Sequence, residues 1–273
     1  MSQFTVIGGR GFIGTEIVTQ LESALHSVWV PERDDSSVYS RNLGTVLYCA
    51  GNGDCKNAPY SVLESNVTYL SRILKDCSFD RLVYISSTRV YMNNLSSSED
   101  GDISIFLGDN RRLFNITKLL GEEICLLSGR PVTIVRPSNV YGLALSSPLF
   151  LPSITRNAIN SGKVDMFIAP DYSKDYISVQ DVAYAVIKLS QSGNSVGEIY
   201  NVASGMNVKA SEIANLLVRY TGCEVIWHST EVSIERFPVT DIGKLQLAIN
   251  DFKPRNVLED LESMIVDFRK SMN

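Results

Sequence analysis

The sequence predicts an α/β protein built on a doubly wound parallel sheet, with a smaller lobe toward the C-terminus. Three observations carry that prediction. Short apolar runs alternate with segments of helical periodicity through residue 136. A glycine-rich turn, Gly8 to Gly14, joins the first apolar run to the first amphipathic segment. The 273 residues are long for one domain but suit a sheet domain with a small cap.

Phe4-Thr-Val-Ile7 is the first strand, and the amphipathic helix after the glycines runs through about Ala24. In a strand, turn and helix setting, Gly8, Gly11 and Gly14 permit the tight turn, the approach of a pyrophosphate to backbone amides, and close helix-on-strand packing. The phosphate would sit at the helix N-terminus, which Phe12 and Ile13 open. A turn without a ligand is the plain alternative. The second strand, Val28-Trp-Val30, ends at Pro31-Glu-Arg-Asp-Asp35. A carboxylate about twenty residues past the glycines is placed to hold the adenosine ribose hydroxyls, and Glu32 occupies that place. Arg33 beside it and Arg10 in the glycine loop can instead pair with a 2′-phosphate, which tilts the expected cofactor, NAD(P), toward NADP. A solvated charge cluster is the alternative for Glu32, Arg33 and Asp34. Further on come the strand Leu47 to Gly51, a helix after Pro59, a strand from Arg81 ending in Ser86-Ser87-Thr88, and a strand from Thr133 to Arg136. Between the last two, Arg112 to Leu127 carries Leu113, Ile116, Leu119, Leu120, Ile124 and Leu127 at helical spacing. In such a sheet, ligands bind at the carboxyl ends of the strands, where Gly11, Gly51, Ser87 and Ser138 fall.

The motifs are more specific than the periodicity. Arg81-Leu-Val-Tyr-Ile-Ser-Ser-Thr-Arg-Val-Tyr91, Phe114-Asn-Ile-Thr-Lys118, Thr133-Ile-Val-Arg-Pro-Ser-Asn-Val-Tyr-Gly142, Lys174-Asp-Tyr-Ile-Ser-Val-Gln-Asp-Val-Ala183 and Gly197-Glu-Ile-Tyr-Asn-Val-Ala-Ser-Gly205 follow in order, then Asp241 and Lys244. Together with the glycine turn they resemble, over nearly the whole chain, an extended short-chain dehydrogenase of the nucleotide-sugar epimerase, dehydratase and reductase group.

That resemblance implies a Rossmann fold that binds NAD(P) and a nucleotide sugar. It implies that Ala50 and Gly51 lie under the cofactor, that Pro137 and Ser138 lie beside the nicotinamide, and that Asn139 donates to the substrate diphosphate. It places Ser87 at the catalytic hydroxyl, with Thr88 as its neighbour, and Lys174 where an arginine pairs with the diphosphate; lysine keeps the charge but loses bidentate geometry. Arg89 could reach an anionic sugar or phosphate, an exposed loop arginine being the alternative, and Arg236 is a possible second phosphate ligand. Relatives usually dimerise, here through the helix after Pro59 and the one bearing Lys118, which makes a homodimer the expected state.

Two departures from the family stand out. Only nineteen positions separate Glu32 from Gly51, so the usual third strand and its helices are expected to be reduced to a stub at the sheet edge. The adenine pocket then lacks the acidic residue that follows this strand in the family. The second departure is chemical. In the family's Tyr-x-x-x-Lys, four-residue helical spacing sets a lysine against a phenol and lowers its pKa for proton transfer; this chain has Lys118 but Phe114. Three explanations stay open: a Tyr→Phe change made in the laboratory, a relay through Ser87, Thr88 or a water held by Lys118, or binding without catalysis. The expected activity is hydride transfer at the C4 carbon of a nucleotide-linked sugar, as a 4-ketoreductase or 4-epimerase. The alternative is a non-catalytic NAD(P)- or nucleotide-sugar-binding protein.

Composition sets limits. A net charge of −5 argues against nucleic acid as the main partner. Five scattered cysteines read as reduced residues of a cytoplasmic protein. No leader-like segment or membrane-length apolar run is seen, and two distant histidines give no reason to expect a metal. Asn93 to Asp102 reads as a loop that covers the site or moves freely. Residues 1–142 and 179–204 are expected to form the dinucleotide-binding domain, with the cap built from 143–178 and 205–273.

Overall fold

In a computed structural model, residues 2–145, 147, 149–228 and 235–272 are described. The chain begins β1 (Gln3–Ile7), α1 (Phe12–Ser23), β2 (Ser27–Trp29), β3 (Thr45–Tyr48), α2 (Pro59–Leu63), α3 (Tyr69–Asp76), β4 (Arg81–Ile85), α4 (Arg112–Leu127) and β5 (Val132–Pro137). It continues with β6 (Asn139–Tyr141), α5 (Phe150–Asn160), β7 (Lys163–Met166), β8 (Ser173–Ser178), α6 (Val179–Gln191), β9 (Ile199–Val202), β10 (Asn207–Lys209), α7 (Ala210–Thr221), β11 (Glu224–Trp227), α8 (Gly243–Ala248) and α9 (Val257–Met272).

The main sheet is parallel throughout, in the order β2-β1-β3-β4-β5-β9. Strand alternation sends Phe4, Val6, Leu47, Val83, Ile85 and Val135 to one face, against α1 and α6. Ile7, Val46, Tyr48, Leu82, Tyr84 and Ile134 go to the other, against α3 and α4. Both faces are thus buried, as the doubly wound architecture requires.

β2 forms the edge, and the connection from it to β3 holds only a 3₁₀ turn, Ser36–Tyr39, started by the Asp35 carboxylate accepting from the Ser37 amide. The third strand unit is therefore absent among the described residues. Arg41 lies 4.1 Å over the Trp29 ring and helps cover this short edge.

A second apolar cluster joins α5, α7 and α9 to β7 and β8 through Ile154, Val164, Met166, Tyr176, Leu217, Leu261 and Phe268. Beside it, β8 lies between β10 and β6, and β11 pairs with β7. The Ser178 hydroxyl accepts from the Asp181 amide at 3.0 Å and caps α6. That cap directs the chain from this lobe back onto the main sheet.

The register aligns the carboxyl ends of the strands. Ile7 pairs with Tyr48, Ile85 with Val135, and Pro137 with Val202. Gly8, Cys49 to Gly51, Ser86 to Thr88 and Ser138 thus leave the sheet at one end.

Candidate functional site

The glycine turn is built for close approach. Gly8 has φ +80°, and a Cβ there would lie 2.7 Å from the Ala50 amide nitrogen. At Gly14 a Cβ would lie 2.3 Å from the Gly8 carbonyl oxygen, so α1 can rest on the turn only with glycine there. The turn opens onto a cavity of about 860 Å³, lined by Gly8, Arg10, Gly11, Glu32, Arg33, Ala50 and Gly51 among others. These are seven of the cofactor-binding residues expected from sequence. Phe12, Ile13, Gly14, Lys118, Pro137 and Ser138 do not line it. Phe12 instead faces Gly142, where a Cβ would lie 3.2 Å from its ring.

Arg10 pairs with Glu32 at 2.6 Å, and both side chains are exposed. A surface pair of this kind is worth about 0–1 kcal/mol, so a ligand can separate it at small cost. Arg33 has no carboxylate partner among the described residues. The same cavity is also lined by residues not expected as ligands from sequence: Asp35, Ser36 and Tyr39 from the short connection, with Tyr69 and Arg72.

Lys118 lies beside this cavity. Its ammonium donates to the Ile85 carbonyl at 2.8 Å and would lie 3.0 Å from a Cβ at Gly51. Burial pushes its pKa down to about 8, with the Glu122 carboxylate, one turn along α4, opposing the fall. Glu122 is itself buried, pairs with Arg136 at 2.5 Å and accepts from the Ser86 hydroxyl. Arg136 also donates to the Tyr91 hydroxyl at 2.5 Å. This network fixes α4 against the ends of β4 and β5. The i, i+4 spacing from Lys118 was the signal for Glu122.

A second anchor was less visible. α2 passes into α3 through a π-helical turn, Glu64–Thr68, that carries the buried Asn66. Asn66 donates to Thr117 Oγ1 at 3.0 Å and to the Asn52 carbonyl at 3.1 Å, and accepts from the Asn52 amide at 3.2 Å. The loop after β3 is thereby tied to the helix that bears Lys118.

Phe114 is half-buried, with its ring centroid 5.7 Å from the Lys118 ammonium and 5.0 Å from Arg111 Cζ. Ser87 is half-buried and its hydroxyl accepts from the Arg89 amide at 3.1 Å, which starts the 3₁₀ turn Thr88–Tyr91. Thr88 is buried and lines a small recess with Asn139.

A separate cavity of about 230 Å³ is lined by Asn139, Lys174, Tyr172, Tyr176, Phe150 and Glu235 among others. Asn139 donates to the Asp175 carbonyl at 2.7 Å, and the buried Asp175 accepts from the Ser138 hydroxyl. Lys174 lies 3.5 Å from Glu235 and 4.9 Å from the ring centroids of Tyr172 and Phe237. Burial lowers its pKa to about 8. For Glu235, burial raises the pKa, but the Arg89 hydrogen bond and the charges of Arg89 and Lys174 outweigh it and hold the carboxyl at about 2.

Arg89 is buried, against the alternative of an exposed loop arginine, and its guanidinium is held by Asp109 at 2.7 Å and Glu235 at 2.9 Å. Arg236 is exposed and lines neither cavity; its backbone exchanges hydrogen bonds with Asn93. The Asn93 to Asp102 loop is pinned: Ser97 donates to the Val239 carbonyl at 2.8 Å, and Glu99 accepts from the Asn201 amide at 3.0 Å. No helix among the described residues is long and apolar enough to cross a membrane.

The chain and its fold have counterparts among known proteins. GDP-6-deoxy-D-mannose reductase of Pseudomonas aeruginosa is 27% identical over 245 residues, covering 78% of each chain. The structure of MoeE5 in complex with UDP-glucuronic acid and NAD superposes with a TM-score of 0.87 at 20% identity, over 99% of this chain and 100% of that one. RMD from Pseudomonas aeruginosa complexed with NADPH superposes with a TM-score of 0.78 at 21% identity, over 99% of this chain and 100% of that one. The model of the NAD dependent epimerase/dehydratase family matches residues 4–203, and the chain belongs to that family.

Proposed function

We propose that this protein is an NAD(P)-dependent oxidoreductase or epimerase of a nucleotide-linked sugar, acting at C4 as a ketoreductase or epimerase. The observation that carries the reading is the position of Lys118, a buried ammonium beside the large cavity at Gly51 and one helical turn from Phe114. The names of the relatives support it, since they describe a reductase and proteins holding UDP-glucuronic acid, NAD or NADPH.

The nicotinamide, when bound, supplies or accepts the hydride. Gly8, Gly11 and Gly14 hold the pyrophosphate, with Phe12 and Ile13 at the helix start. Glu32, Arg10 and Arg33 hold the adenosine ribose end, Ala50 and Gly51 underlie the cofactor, and Pro137 and Ser138 border the nicotinamide. Arg33, with no carboxylate partner among the described residues, favours NADP. Asn139, Lys174 and Thr88 take the sugar and its diphosphate; Arg89, held by Asp109 and Glu235, acts behind Lys174, and Arg236, exposed outside both cavities, does not take the expected part of a second phosphate ligand. Lys118 orients ligand hydroxyls, and a hydroxyl of Ser87 or Thr88, or a water held by Lys118, relays the proton that Phe114 cannot. Residues 1–142 and 179–204 serve as the dinucleotide-binding domain and 143–178 with 205–273 as the cap. Tyr60, Leu63, Ile116, Leu120 and Leu127 leave apolar surface on α2 and α4, which suits a homodimer.

Binding without turnover is the second reading, favoured by Phe114 alone. The two separate on titration with NADPH and NADH, followed by cofactor consumption with UDP-, dTDP- and GDP-linked 4-keto sugars. The enzyme reading expects binding, tighter for NADPH, with slow consumption on one sugar. Binding without consumption across the panel moves the second reading ahead, and no binding of either cofactor overturns both.

A further inference from the structure

Three cations and two carboxylates meet next to Phe114 in a chain that is acidic as a whole. Asp109 and Glu235 are both claimed by Arg89, at 2.7 and 2.9 Å, and Glu235 is shared with Lys174 at 3.5 Å. Arg111 is the cation left over. Its backbone amide donates to Asp109, but its guanidinium has no carboxylate or hydrogen-bond partner among the described residues. Burial and the nearby Arg89 charge both disfavour its charged form.

Its position is specific. The guanidinium stacks 5.0 Å from the Phe114 ring centroid, and its Nη2 would lie 3.0 Å from a Cβ at Gly53, so the glycine is what lets it lie against the chain there. Withdrawing an unpaired cation from water is costly, and an anion delivered to it recovers that cost. A sugar hydroxyl would accept one hydrogen bond and leave the surplus charge. A carboxylate neutralises it and matches the planar fork with two parallel bonds.

We infer that Arg111 is a specificity-determining residue that binds a carboxylate carried by the sugar itself, so that the preferred substrate is a nucleotide-linked uronic acid. The diphosphate is not that anion, because its expected partners Asn139 and Lys174 line the smaller cavity, which Arg111 does not line. The inference rests on the nucleotide-sugar reading above.

The test is calorimetric, with the full chain saturated in cofactor. UDP, dTDP and GDP are titrated first to find the nucleotide. Matched sugars on that nucleotide follow, glucose against glucuronic acid or mannose against mannuronic acid, with the wild type, Arg111→Lys and Arg111→Met. The expected preference for the uronate is about 10- to 100-fold, the range of a charge-assisted contact. Arg111→Met should abolish it and leave nucleoside diphosphate affinity unchanged; Arg111→Lys should keep part of it. Arg111→Met should also melt at the same temperature as the wild type or above it, whereas a structural arginine would lower it. A ratio near one in the wild type, or a ratio that survives in Arg111→Met, overturns the role of Arg111 while the nucleotide-sugar reading stands. If no nucleoside diphosphate binds while the cofactor does, that reading falls and this inference with it.

Discussion

A lysine ammonium held out of water keeps its proton only while neighbouring acceptors and charges favour it. Lys118 has the Ile85 carbonyl at 2.8 Å and the Glu122 carboxylate one turn away, and burial still brings its pKa to about 8. If the ammonium is the working form, turnover falls as pH rises through about 8, roughly tenfold per unit beyond it, in a pH–rate profile. Stability changes in the opposite direction. The folded pKa lies below the ordinary lysine value, so the unfolded chain binds more protons between about 8 and about 10.4 and the protein gains stability as pH climbs through that window. Lys118→Met should therefore melt higher than the wild type at pH 7, with a difference that narrows toward pH 10, while its turnover is lost. A pH-independent difference in melting temperature would show that Lys118 is not the buried titrating group. Both lysines of the site were legible in sequence, but the pairing of Arg89 was not, because Asp109 and Glu235 reach it from distant positions that no local pattern connects.

Among the elements, the turn from β1 into α1 bears the tightest constraint. A methyl at Gly14 would meet the Gly8–Gly9 peptide, 2.3 Å from the Gly8 carbonyl oxygen and 2.7 Å from Gly9 Cα, and backbone cannot swing aside as a side chain can. Gly14→Ala should cost about 1–3 kcal/mol in denaturant unfolding and weaken dinucleotide binding at least about tenfold. Unchanged affinity in a folded variant would mean that this turn does not hold the pyrophosphate. The sequence already showed the turn, α4 from Arg112 to Leu127, and the loss of the third strand unit, since helical spacing and chain length fix each of them locally. What replaces that unit was not legible. Tyr39, Tyr69 and Arg72 form a cavity wall only because the shortened connection sets the 3₁₀ turn against the helical run after Pro59. The π turn at Asn66 was equally hidden, since its register is decided by tertiary hydrogen bonds to Asn52 and Thr117 rather than by propensity.

At the scale of the whole molecule, the glycine turn and Lys118 lie at the carboxyl ends of the parallel strands beside one cavity, and Lys174, Tyr172 and Glu235 line another. Family membership accounts for this architecture and leaves the part played by Phe114 to experiment. The account holds that everything around Phe114 is set for proton-coupled hydride transfer and that only the acid is lacking. Loss of a positioned general acid typically costs about 10² to 10⁴ in rate. The most direct measurement is therefore the rate of cofactor consumption by Phe114→Tyr beside the unaltered protein, on the nucleotide sugar that binds best. The account predicts a rise of about 10²-fold or more. If the tyrosine variant binds cofactor and sugar as tightly as before yet consumes no cofactor, the site is not a hydride-transfer centre awaiting its acid, and the central claim is wrong.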